Sequence, residues 1–179
     1  MPIETRPDPA RSTRDPRPDP RGRAGELASS AAAALELPLR QMLADVLALF
    51  LKTKGFHWHV GGRHFRDDHL LLDEQAGELL AMVDPLAERA RKLGLGTLGS
   101  IGDVARHQRL RDADPRPRTA EEMLAELRTD NRALAAELRL LHARCDEQGD
   151  IASASLVEVW VDEAERRTWF LTEVLGGAR

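Results

Sequence analysis

Five side chains of metal-binding type stand between His57 and Glu88: the imidazoles of His57 and His69 and the carboxylates of Asp73, Asp84 and Glu88. Nitrogen and carboxylate donors with no thiolate suit iron or zinc rather than copper(I). The surrounding residues repeat with helical spacing. His69 and Asp73 are four residues apart, and so are Asp84 and Glu88. Four residues turn a helix by about 40°, so each pair makes a small claw on one face. The eleven residues from Asp73 to Asp84 rotate by roughly 20° net, which puts both claws on one stripe. Distance then decides. Those residues span about 16 Å of helix, and His69 to Glu88 spans about 28 Å. One straight helix cannot bring both claws to one metal. If they serve a single site, a second copy must lie antiparallel and deliver its Asp84/Glu88 claw to this chain's His69/Asp73 claw, across a two-fold axis.

The spacing H-x11-H-x3-D-x10-D-x3-E, matched at His57, His69, Asp73, Asp84 and Glu88, resembles the signature of the Dps proteins. These are ferritin-like mini-cages that protect bacterial DNA during starvation and oxidative stress. Trp58 matches the Trp that follows the first His in that family, and the resemblance extends over roughly residues 30–175. It implies an all-α, ferritin-like four-helix bundle with a short helix in the long B–C crossover. It also implies a ferroxidase that oxidises Fe²⁺ with hydrogen peroxide at the dimer interface and stores ferric iron in a hollow shell of twelve subunits. His57, His69, Asp73, Asp84 and Glu88 would be the iron ligands, with Trp58 a sacrificial electron donor or a packing residue. Asp146, Glu147 and Asp150 resemble the acids of the family's three-fold pores; the plainer alternative is a polar loop in which Asp150 caps a helix. His59 and His64 have no counterpart in the pattern.

Composition agrees with helices. The 179 residues hold no Tyr and only 4% aromatics, while Ala, Leu, Glu and Arg abound, a mixture that favours helix over sheet. No apolar run approaches the roughly 20 residues that span a bilayer, and the N-terminus lacks the apolar core of a secretory signal. The single cysteine, Cys145, excludes an intrachain disulfide and suits a reducing compartment. The expected location is the cytoplasm, with nucleoid association if the particle binds DNA.

The chain divides into a Pro/Arg-rich tail, residues 1–28, and a ferritin-like domain, residues 29–179. Residues 1–25 hold six Pro and six Arg, too little apolar surface to offset ordering entropy, so disorder or extended polyproline conformation is expected. Its arginines, Arg6, Arg11, Arg14, Arg17, Arg21 and Arg23, are the candidate DNA contacts, although Asp neighbours oppose several of them. Of 26 Lys+Arg and 30 Asp+Glu in the chain, six and four fall in that segment, so a basic arm hangs from an acidic body. A competing reading follows: a nucleoid-compacting protein that uses this arm, with ferroxidation secondary.

Helix A is expected to be under way by Pro38 and to end near His59, after an Ala31–Ala34 lead-in. Helix B should follow from about His64 to Leu93, with Leu70, Leu71, Ala76, Leu79, Leu80, Val83, Leu86 and Ala90 facing the core and a bend at Pro85. A short helix can form over Ile101–Leu110. Thr119-Ala120-Glu121-Glu122 has the form of a capping box opening helix C. Gln148-Gly149 closes that helix, and Asp150 caps helix D, which runs to Leu175.

Overall fold

The computed structural model of the chain describes residues 20–113 and 117–176, with side chains from residue 30 onward. The expected disorder of the tail falls on residues outside this description up to residue 19. Five helices occupy the described residues: α1 (Pro20–His59), α2 (Phe65–Lys92), α3 (Ile101–His107), α4 (Ala120–Glu147) and α5 (Ile151–Val174). α1 packs along α2 and crosses α4, α4 lies along α5, and α3 rests on α1. The result is a four-helix bundle with one long crossover, from α2 to α4, that carries the short helix.

α1 begins well before Pro38, which lies inside it. Pro38 removes one backbone hydrogen bond, but the preceding Ala31–Ala34 run and Leu35 are strong helix formers. Leu35 is 1% exposed, so the helix is held by packing on both sides of the proline. Gly62, at φ 108°, makes the reversal into α2, a conformation that a side chain would strain. The Thr119–Glu122 capping box is present in both directions, and Asp150 caps α5 through the Ser153 N–H.

The buried face of α2 holds Ala76, Leu79, Leu86 and Ala90 as expected, with Leu71 and Val83 partly buried against it, but it differs from the expected one at two positions. Leu72, Leu79, Met82 and Leu86 are buried, whereas Leu70 and Leu80 are about half exposed. At about 100° per residue, Leu72, Gln75, Leu79, Met82 and Leu86 cluster on one side of the helix. Leu70 and Leu80 fall on the other side, within about 100° of arc that also holds His69, Asp73, Asp84 and Glu88. On that second face no helix among the described residues covers Leu70 and Leu80.

Buried charge ties the crossover down. Asp45 of α1, 3% exposed, accepts from the Arg109 backbone N–H at 2.6 Å and from its Nε and Nη2 at 3.0 and 2.6 Å. Lys52, one side of α1 further on, donates to Asp130 at 2.7 Å and Glu126 at 3.1 Å on α4 and to the Arg111 carbonyl. Burial pushes the Asp45 carboxyl above its ordinary value, and Arg109 only partly counters it. A raised folded-state value means that the ionised group costs stability, a cost absent below the unfolded value and incurred as pH rises through the folded one. Arg109→Ala is therefore expected to lose about 2 kcal/mol at pH 7, where Asp45 is left charged and unpaired. The deficit should shrink as pH is lowered from 7 to 4, because a protonated Asp45 needs no cation. Denaturant melts at the two pH values check this; an equal or larger deficit at pH 4 contradicts it.

Candidate metal centre

The two imidazoles meet at the crossing of α1 and α2. Their rings stack with centroids 3.7 Å apart. His57 Nδ1 lies 2.9 Å from the His69 carbonyl, and His69 Nδ1 lies 2.9 Å from the His57 carbonyl. A carbonyl can only accept, so each Nδ1 carries a proton, and Nε2 is the nitrogen left to bind a metal. This is how proteins fix the tautomer of a metal-binding histidine. His57 is 9% exposed, and its Nε2 stands 3.9 Å from Asp73 Oδ1. His57 thus links the other two, stacked on His69 and next to Asp73.

Asp73 already has a cation. Lys54 Nζ lies 2.5 Å from its Oδ1, and this hydrogen bond and charge hold the carboxyl below its ordinary value. Lys54 stands one turn before His57 on α1, the i−3 position that shares a helix face. That spacing was the available signal for it. A metal ion bound through Asp73 would have to displace this ammonium, so Lys54→Met is expected to bind Zn²⁺ several-fold more tightly in calorimetric titration. Weaker binding by the variant would show instead that Lys54 supports the site.

Asp84 and Glu88 lie further along the same exposed face of α2. Glu88 pairs with Lys92 at 3.0 Å, and Asp84 has no partner among the described residues. The chain does not bring them to the histidines, and among the described residues no three metal-binding side chains converge as a complete site. Trp58, beside His57, is 63% exposed, on the open side. His59 donates Nδ1–H to the Gly55 carbonyl at 2.6 Å, while His64 is the residue before α2.

The three junction acids differ from one another. Asp150 accepts from Arg89 Nη2 at 2.5 Å and from the Ser153 N–H at 3.2 Å. Burial opposes its ionisation, but Ser153 and Arg89 outweigh that and hold its carboxyl below the ordinary value. Asp146 lies 3.4 Å from His142 Nδ1, whose Nε2 meets Glu158 at 3.0 Å. Glu147 is exposed and has no partner among the described residues. Cys145 is buried and its thiol is pushed up to about 11, chiefly by desolvation, which makes it an inert packing group. Arg6, Arg11, Arg14 and Arg17 lie outside the described residues; Arg21 and Arg23 fall in the first turns of α1, with side chains outside the description.

A four-helix bundle with a long second crossover and a His/carboxylate stripe on its second helix defines a ferritin-like protein, and residues 37–179 match the family model described as "Ferritin-like domain". The DNA protection during starvation protein 1 of Deinococcus radiodurans is 30% identical over 79% of this chain and 68% of its own length. An uncharacterised low temperature-induced protein of Nostoc is 34% identical over 78% of each. Among solved structures, Dps from Thermosynechococcus elongatus superposes with a TM-score of 0.80 at 28% identity, covering 83% of this chain and 94% of that one. DpsC from Streptomyces coelicolor gives 0.79 at 29% identity, covering 82% and 86%. The chain belongs to the Dps family of ferritin-like proteins. No helix among the described residues is long and apolar enough to cross a membrane.

Proposed function

We propose that this protein is a ferroxidase that takes up Fe²⁺ at sites shared between two-fold-related subunits and stores the ferric product inside a shell, limiting oxidative damage to DNA. The observation that carries the reading is the half-exposed face of α2, where His69, Asp73, Asp84 and Glu88 are interspersed with the exposed Leu70 and Leu80. Exposed leucines on a ligand-bearing stripe fit a face that a second copy covers. Antiparallel pairing of two such faces would place Asp84 and Glu88 of one subunit against His57, His69 and Asp73 of the other. Leu51 and Trp58 of α1, both more than half exposed, would flank the contact.

Fe²⁺ is the substrate. Two Fe²⁺ ions each give up one electron, the O–O bond of hydrogen peroxide breaks, and two protons complete two molecules of water. The chain's part is to hold iron through the Nε2 atoms and carboxylates, which stabilise the ferric state, while few protein ligands leave room for the oxidant. Consuming Fe²⁺ and peroxide together removes the reactants of hydroxyl-radical formation. The names of the relatives, which speak of DNA protection during starvation, support this purpose. Exposed Glu147 and Asp146 are the remaining candidates for a cation path, with Asp150 committed to Arg89 and the α5 cap. The Arg6–Arg23 arm is the candidate DNA contact, since the acidic body repels phosphate. Stopped-flow oxidation of Fe²⁺ by peroxide and by oxygen, on particles sized by light scattering, tests the reading. A stable monomer, or no oxidation above the buffer rate, sinks it.

A further inference from the structure

At the end of the bundle where the α1–α2 turn meets the start of α4 and the end of α5 lies an open cavity of about 830 Å³. Its walls include the apolar side chains Leu71, Leu124 and Phe170. Asp68, which lines it, is 5% exposed, and its carboxylate has no hydrogen bond or ion pair among the described residues. A mostly buried carboxylate without a protein partner, open only to the cavity, carries a desolvation cost that a ligand can relieve. The charge around it is mostly negative: Asp67, Glu121 and Glu173 also line the cavity, against the guanidinium of Arg63 and the imidazole of His64.

Two helix N-termini open here, those of α2 and α4, and they favour anions. Asp67 and Glu121 stand in those helices' first turns and already answer that preference. The C-terminal end of α5 brings carbonyl oxygens, which favour a cation. No three donors converge here as a metal ion requires, among the described residues, and the volume is far larger than an ion needs. A deep carboxylate, an acidic rim and apolar walls match a cation that carries its own hydrocarbon.

We propose that this cavity binds a small organic cation, an ammonium or guanidinium head on an aliphatic stem, with Asp68 as counter-ion and Phe170, Leu71 and Leu124 against the stem. The acidic rim draws the ligand in, and a second cationic end reaches Glu121 or Glu173. The site is independent of iron. Asp68 and His69 are neighbours in sequence but sit about 100° apart on α2, one turned to the cavity and bundle, the other to the open metal-binding face.

Calorimetric titration of agmatine, which carries both kinds of head, into the assembled full-length protein tests this. Saturable binding is expected, weakened at least tenfold by the isosteric Asp68→Asn and several-fold by the rim variant Glu173→Gln. The variant Glu158→Gln, on the α4–α5 surface beside His142, should leave it unchanged. A Gly-Arg-Gly peptide titrated in parallel separates the sources: binding of agmatine alone marks a free amine, and binding of the peptide as well admits an arginine side chain. Asp68→Asn keeps the shape of the side chain and is expected to fold; should it not, the Glu173→Gln and Glu158→Gln comparison decides. No saturable binding by the unsubstituted protein at millimolar agmatine overturns the proposal, as does equal loss in Glu173→Gln and Glu158→Gln.

Discussion

Alanine at either His69 or Glu88 is expected to reduce Fe²⁺ oxidation more than tenfold while leaving the subunit folded. His69 is half-buried and Glu88 exposed, and neither belongs to the core cluster of the bundle. The two losses should look alike although the residues are about 28 Å apart along one helix. That similarity is the signature of a site built from two chains. His69→Ala also removes one of the two reciprocal Nδ1–H to carbonyl bonds, so it frees the His57 carbonyl and loosens the partner ring. Glu88→Ala removes only a carboxylate and its Lys92 pair. Oxidation rates and particle size measured together separate loss of chemistry from loss of assembly. A variant that keeps full activity would remove its residue from the site.

The largest stability effect is expected at Arg167, which is 1% exposed in the bundle interior. Its Nε donates to Asn131 Oδ1 at 2.8 Å, its Nη1 lies 3.4 Å from Glu78 Oε2, and its Nη2 contacts the Met82 sulfur at 3.9 Å. Desolvation lowers its affinity for a proton and Glu78 restores part of it. Arg167→Ala empties this volume and strands the Asn131 oxygen, so a loss of about 3–5 kcal/mol is expected. Glu78 keeps Arg166 at 2.7 Å, which softens the loss. Arg167→Met refills the space without charge and should recover at least half of the deficit, because a buried ion gives weak net stability once its partners are satisfied. Denaturant melts at matched protein concentration read both variants. A Met variant as unstable as the Ala variant would mean that the charge itself holds the bundle.

Much of this architecture was legible in residue spacing. The capping box at Thr119, the Asp150 cap and the glycine after α4 are local signals, and they place the helix boundaries to within a few residues. The candidate ligand stripe is likewise a matter of helix rotation, as is the expectation that one chain cannot close the site. What spacing could not resolve is which α2 face is buried. Leu70 and Leu80 are as apolar as Leu72 and Leu79, and only packing against α1 and α5 separates them. The exposed pair then turns out to share the face of the candidate ligands, and the proposed interface rests on that coincidence. Pro38 inside α1 agrees with a helix already under way there: its missing N–H is a local cost, overridden by packing of Leu35 and Leu39. The reciprocal histidine bonds, the Asp45–Arg109 clamp and the unpaired Asp68 depend on how distant segments meet, and no periodicity reports that.

The measurement that tests the shared site most directly is co-assembly of the two inactive variants. His69→Ala and Glu88→Ala chains are mixed in equal amounts and refolded together. In a mixed dimer, one site joins the intact His69 of the Glu88→Ala chain to the intact Glu88 of the His69→Ala chain, and the other carries both lesions. With random pairing about half the dimers are mixed and about a quarter of all sites are whole. Oxidation near a quarter of the unsubstituted rate, seen only after co-assembly, is the result this account predicts. No rescue, with mixed dimers confirmed by mass spectrometry, would place every site within a single chain and contradict it.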